Sequence, residues 1–146
     1  MQEINLYILT EAKGNTSERG HAVYELELAK TGQHRDHRTG IVDGNRNGQM
    51  LEGLCDALNN IAPGKDIRLN VYSEAVMMHT HITNGNIHTW EKNGFLKADG
   101  TPVTYAYLWE PITKNIREKL KCRISMFSGL PMEIRQRLDK MIKEPY

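Results

Sequence analysis

The chain is poor in the features that mark several large protein classes. Its two cysteines, Cys55 and Cys122, are too few for a disulfide scaffold and lack zinc-site spacing. No apolar run approaches the roughly 18 residues that a membrane-crossing helix needs, so no membrane partner is expected. The first residues, Met1-Gln2-Glu3-Ile4-Asn5, lack the basic and apolar regions of a secretory leader. With the low cysteine count, this makes a reducing, cytoplasmic location the expectation. Charge of one sign is also missing. Nineteen Lys and Arg stand against eighteen Asp and Glu, a net of +1, so global charge points neither to nucleic acid nor to a membrane surface. No internal repeat, low-complexity stretch or linker divides the chain.

What is present is ordinary for a globular protein. The chain has 146 residues, 39% hydrophobic and 25% charged. That length predicts one domain over 1–146 with a sizeable core, and a monomer by default. Ile4 to Leu9 is rich in β-formers and ends at the polar stretch Lys13 to Ser17. His21 to Ala29 alternates, with Ala22, Tyr24, Leu26 and Leu28 on one face and Val23, Glu25 and Glu27 on the other, the pattern of a half-buried strand. Thr31-Gly32 turns the chain, so His34 to Val42 pairs back as a hairpin.

The period then changes. Met50, Leu51, Leu54, Cys55, Leu58 and Ile61 have helical spacing, and Pro63-Gly64 stops that helix. Ile67, Leu69 and Val71 form a strand. Ser73 is placed to cap the next helix, Gly85 interrupts it, and Ile87 and Trp90 lie on a second piece. Tyr105 to Leu120 is a helix, Cys122, Ile124 and Met126 alternate as a strand, and Pro131 opens a last helix. The order β-β-β-α-β-α-α-α-β-α predicts a mixed sheet with helices on its faces.

Several stretches are more specific than this order. Leu69 to Val76 has the form of a strand running into a helix. Ile82-Thr83-Asn84 and Ile87-His88-Thr89-Trp90 follow it, then Trp90-Glu91-Lys92-Asn93-Gly94-Phe95-Leu96-Lys97-Ala98-Asp99-Gly100-Thr101-Pro102-Val103, then Leu108-Trp109. These resemble ribonuclease H (type I): its fourth strand and following helix, its substrate-binding handle, and the helix after the handle. Gly20 to Ala29 and Ala57-Leu58 are similar to that family's second strand and first helix. The resemblance implies a ribonuclease H-like α/β fold. It would have a mixed five-stranded sheet, an antiparallel meander of three strands plus two helix-linked strands, helices on its faces, and a handle.

In that family four carboxylates hold two divalent metals, which activate water and stabilise the leaving oxygen as the RNA of an RNA/DNA hybrid is cut. The resemblance places the first-strand Asp at Glu11, the helix Glu at Met50, the fourth-strand Asp at Tyr72 and the last-helix Asp at Asp139. Glu11 and Asp139 are thus the expected catalytic and metal-binding residues. Met50 and Tyr72 are degenerate positions, because a thioether or phenol does not replace a carboxylate's charge for magnesium. The family's loop His has no counterpart in Met126 to Leu130. Glu52 and Glu74 are the possible substitutes. On a helix i and i+2 diverge, so Glu52 is expected to face away from the position of Met50. Glu74 is expected at a helix start, interacting with the dipole. Tyr72 is expected to fill the space of the metals.

For nucleic acid, the resemblance points to Asn45, Asn47 and Gln49 before the first helix, where free N–H groups favour phosphate. It also points to Trp90, Lys92 and Lys97 in the handle. Trp90 and Phe95 either pack the handle or contact a minor groove. Glu91 and Asp99 offset Lys92 and Lys97, unlike the basic handle of the bacterial enzymes. Nine basic residues against three acidic ones between Lys114 and Lys143 form either a phosphate-facing patch or solvated helix faces. Asp139 is also placed to pair with Arg135 or Lys143. His79 and His81 do not share a helix face and make no metal site. Cys55 and Cys122 are core residues.

The expected function is a nucleic-acid-binding domain for an RNA/DNA hybrid or related duplex, with weak or lost nuclease activity. One alternative is an active hybrid-cleaving ribonuclease using magnesium or manganese and a rearranged carboxylate set. Another is a protein-interaction scaffold.

Overall fold

A computed structural model describes residues 2–62, 66–119 and 123–145. Expectations placed on Pro63-Gly64, Leu120, Lys121 and Cys122 lie outside the described residues. The elements in chain order are β1 (Gln2–Thr10), β2 (Glu18–Gly20), β3 (Ala22–Leu28), β4 (His34–Arg38), β5 (Val42–Gly44), α1 (Arg46–Asn59), β6 (Ile67–Ser73), α2 (Val76–Thr83), α3 (Asn86–Lys92), α4 (Ala106–Lys119), β7 (Arg123–Ser128) and α5 (Met132–Lys143). Among the described residues no helix is long and apolar enough to cross a membrane.

Five strands form one mixed sheet in the order β4-β3-β1-β6-β7. β1 pairs antiparallel with β3 and parallel with β6, and β7 runs parallel to β6. β1 is therefore central and covered on both faces, which is why it has no polar alternation. Leu6 and Ile8 face α1 and α4, while Tyr7 and Leu9 face α5 with Val23, Ile134 and Leu138. α1 crosses the sheet closely: a Cβ at Gly53 would lie 2.8 Å from Ile8 Cγ2 and 3.3 Å from Ala22 Cβ.

The expected strand His34 to Val42 is split into β4 and β5, and β2, an unexpected strand, precedes β3. The hairpin leaves the main sheet at His21 and Thr39 and continues as a separate ladder of β2 and β5. Thr39 makes the bend: its N–H donates to the Ala22 carbonyl and its hydroxyl accepts from the Ala22 N–H, both at 2.9 Å. β3 is also not half-exposed. Glu25, read as solvent-facing, is 0% exposed beneath α5.

Ser73 does not cap α2 directly, since Ala75 occupies the cap position. The Ser73 hydroxyl instead meets His79 Nε2 at 2.9 Å and ties the end of β6 to the start of α2. His81 lies against Trp90, ring centres 4.7 Å apart, and edge-on to Trp109 at 6.0 Å. Burial lowers the pKa of both imidazoles from the usual 6.5. The folded chain thus binds fewer protons than the unfolded chain as pH falls through and below this value. Their contribution to stability is complete above about pH 6.5 and is lost on acidification. A His81→Phe chain is expected to show a smaller drop in thermal midpoint between about pH 7.5 and pH 5.5 than the parent. Parallel thermal unfolding at both pH values checks this, and equal drops would contradict it.

Candidate functional site

The motif residues fall in two adjoining places that share Lys13. The first is a crevice of about 30 Å³ between the end of β1, the start of α1, the end of β6 and α5. That is room for about one water. Leu9, Lys13, Arg46, Met50, Glu74 and Arg135 line it. Met50 is 2% exposed and belongs to the core beneath α1. Glu74 does not serve the α2 N-terminus as expected. Its carboxylate is ion-paired with the Arg135 guanidinium of α5.

The second place is a groove of about 750 Å³ that receives Glu11 and Asp139 together. Lys13, Arg19, Lys143 and Glu144 also line it, so its charge is balanced. β1 ends at Thr10, and Glu11 turns into the groove with its carboxylate held by His21. It accepts from the His21 N–H at 3.0 Å and contacts the imidazole Nδ1. Gly20 leaves room for it, since a Cβ there would lie 3.1 Å from Glu11 Cβ.

Tyr72 joins neither place. Its ring is packed between Tyr7 and Phe127, each at 4.9 Å, across β1, β6 and β7. The expectation that it fills the space beside Glu11 and Asp139 is therefore overturned. Glu52 lies apart, near Asp56 and Cys55; burial first, then the Asp56 charge, pushes its carboxyl up. Burial likewise pushes the Cys55 thiol up.

A pair of magnesium or manganese ions needs several converging hard oxygen donors. The residues at the degenerate positions do not fit such a pair: a buried thioether, a stacked phenol, and a guanidinium already neutralising Glu74. Among the described residues, the one group offering three close ligand atoms lies elsewhere, at Glu25, His34 and Asp36.

The loop before α1 is built differently from the expectation. Gln49 is 0% exposed and cannot touch nucleic acid. Its amide oxygen accepts from the Ala12 N–H at 2.9 Å, and its amide nitrogen donates to the carbonyls of Glu18 and Gly44. It therefore ties α1 to β1 and to the β2–β5 ladder. Asn45 caps α1 by accepting from the Gly48 N–H, and also accepts from the Tyr105 hydroxyl. The Arg46 N–H donates to the Gly14 carbonyl. The helix start is thus mostly occupied by its own chain rather than open to phosphate. Asn47 is half-buried against Met77. The half-buried Arg46 side chain lines the crevice, and so does Lys13, with its ammonium on the Thr10 carbonyl.

In the handle, Lys92 and Lys97 are exposed. Trp90 is half-buried, edge-on to Trp109 at 5.6 Å, and Phe95 is buried, so packing accounts for both rings. Phe95 and Tyr105 adopt positive φ of 60° and 62° at the two ends of the handle loop. The Val103 N–H donates to the Phe95 carbonyl and closes the loop. The later basic residues are largely committed elsewhere. Arg117 pairs with Glu91, Lys119 donates to the Leu58 carbonyl, Arg135 pairs with Glu74, and Arg137 pairs with Glu25.

No family model and no curated protein matches the chain. Solved structures do. LC9-RNase H1, a type 1 RNase H with the type 2 active-site motif, aligns at TM-score 0.71 with 16% identity, over 97% of this chain and 70% of that one. LC11-RNase H1 in complex with an RNA/DNA hybrid aligns at 0.65 with 14% identity, over 95% and 93%. A foamy viral protease-reverse transcriptase in complex with double-stranded DNA aligns at 0.64 with 15% identity, over 97% and 90%. At these identities the likeness is one of fold, and the fold is ribonuclease H-like.

Proposed function

We propose that this ribonuclease H-like chain binds an RNA/DNA hybrid or a related duplex and has weak or no nuclease activity. The observation that carries the reading is the Arg135–Glu74 ion pair beside buried Met50 at the crevice. A guanidinium there favours phosphate over a metal ion, and Glu74 is spent on it. Glu11 and Asp139 share a groove, but no three ligand atoms converge on them among the described residues. Two similar folds, LC11-RNase H1 and the foamy viral protease-reverse transcriptase, are structures with nucleic acid bound. The side chains assigned to phosphate in this reading are Lys13 and Arg46 lining the crevice and the exposed Lys92 and Lys97 on the handle.

The test is an end-labelled RNA/DNA hybrid, with binding measured by fluorescence anisotropy at two salt concentrations and cutting assayed with magnesium and then manganese. Binding is expected to weaken steeply with salt, with no metal-dependent cutting. Replacing Lys13 and Arg46 together by Glu is expected to weaken binding at least about tenfold and to lower the salt slope by about 2. Metal-dependent cutting that is lost in Glu11→Ala and Asp139→Ala would overturn the loss of activity. No binding at low salt would overturn the nucleic-acid role and leave an interaction scaffold.

A further inference from the structure

We propose that Glu25, His34 and Asp36 form a site for one zinc-class divalent cation on the face of the sheet beneath α5. Strand geometry assembles the site. In the β3–β4 register Glu25 lies directly opposite Asp36. His34, two residues before Asp36, points to the same face. His34 Nδ1 is 3.4 Å from Glu25 Oε1 and 3.4 Å from Asp36 Oδ1. All three ligand atoms lie within 4.8 Å of one another. Separations of 3.4 Å are long for hydrogen bonds of this kind. They match the edge of a tetrahedron about a metal whose ligands lie at about 2.0–2.1 Å, which is about 3.4 Å.

A second observation points the same way. The Glu25 side chain is completely buried, and its Oε2 has no hydrogen-bond partner among the described residues. A buried carboxylate oxygen left without a partner is costly, and a cation held by both oxygens of the Glu25 carboxylate would satisfy Oε2 while using the Oε1 that lies 3.4 Å from His34 Nδ1. Oε1 accepts from Arg137 Nη2 at 2.8 Å and Nε at 3.3 Å. This guanidinium fixes the orientation of the carboxylate, as an outer-shell group does around a metal ligand, and its charge also weakens cation binding. With neutral His34, the site's two carboxylates still outweigh Arg137 by one negative charge. One imidazole and two carboxylates select zinc over calcium or magnesium, which prefer oxygen alone. His34 and Asp36 are partly exposed, with side chains at 39% and 34%, so a cation enters from solvent and keeps a position for water. Its effect would be to fasten the edge strand β4 to β3.

The test is titration of the reduced full chain with zinc against a chromophoric chelator, with cobalt(II) absorption reporting the coordination geometry. The expected result is one equivalent bound, a tetrahedral cobalt spectrum, and a thermal midpoint that rises with zinc concentration. His34→Ala and Asp36→Ala alter half-exposed side chains. Each is expected to weaken binding at least about tenfold and to abolish the thermal shift. Cys55→Ser and His79→Ala are expected to leave both unchanged. A parent chain that retains no zinc in excess metal would overturn the proposal. So would stoichiometry and affinity that persist in both ligand variants.

Discussion

Replacing Gly53 by Leu is expected to abolish cooperative folding, whereas Gly53→Ala costs only about 1 kcal/mol. A Cβ at this position would meet Ile8 Cγ2 at 2.8 Å. Ile8 is β-branched, so its χ1 is stiff, and it is 1% exposed at the centre of the sheet. It has no room to swing aside. For Ala, overpacking of about 1–3 kcal/mol is partly offset by a helix-propensity gain of about 1 kcal/mol. A Leu side chain requires α1 to lift off β1 and β3. That exposes Met50, Leu54, Ala57 and Leu58 at once. The loss then exceeds about 4 kcal/mol, a large part of the stability of a domain this size. Gly14 is the control, since nothing lies within 4 Å of a Cβ there. Gly14→Ala is expected to change stability by no more than about 0.5 kcal/mol. Urea denaturation of the three variants decides the matter, and a Gly53→Leu chain unfolding within 1 kcal/mol of the parent by that assay would refute the close crossing.

The order of the main strands and helices was legible because burial imposes period. β1 is apolar on both faces, α1 places Met50, Leu54 and Leu58 on one stripe, and α5 does the same with Ile134, Leu138 and Ile142. The β2–β5 ladder was not legible. Glu18-Arg19-Gly20 and Val42-Asp43-Gly44 carry no apolar alternation and are held by backbone pairing. Gln49 misled for a related reason: a polar side chain near a helix start reads as a surface contact until three backbone partners close around it. The ion pairs were beyond reach. Arg135 and Glu74 are 61 residues apart in sequence, and Arg137 and Glu25 are 112 apart. In the zinc-class group, the His34-x-Asp36 spacing was readable on a strand. Its third member needed the register that sets Glu25 opposite Asp36. The divergence of Glu52 from Met50, by contrast, followed from helix geometry alone.

The Arg137–Glu25 pair leads to the second large effect. An Arg137→Met chain is expected to lose about 3 kcal/mol of stability. Glu25 is 0% exposed, whereas the Arg137 side chain is 44% exposed. The cost therefore falls almost entirely on the carboxylate left behind. Burial raises the Glu25 pKa, and the Arg137 hydrogen bond and charge are the largest influences pulling it down again. Without Arg137, a charge remains in an apolar layer with no other Arg or Lys paired to it among the described residues. Neutralising it should therefore restore stability. The double variant Glu25→Gln with Arg137→Met is expected to recover about 1–2 kcal/mol over Arg137→Met alone. A surface ion pair would show no such recovery, because its members contribute only about 0–1 kcal/mol and screen readily in salt. Urea denaturation of the four chains of this cycle separates the two cases. A double variant no more stable than Arg137→Met would mean that packing of the Arg137 stem between α5 and the sheet, rather than its charge, holds this face of the sheet.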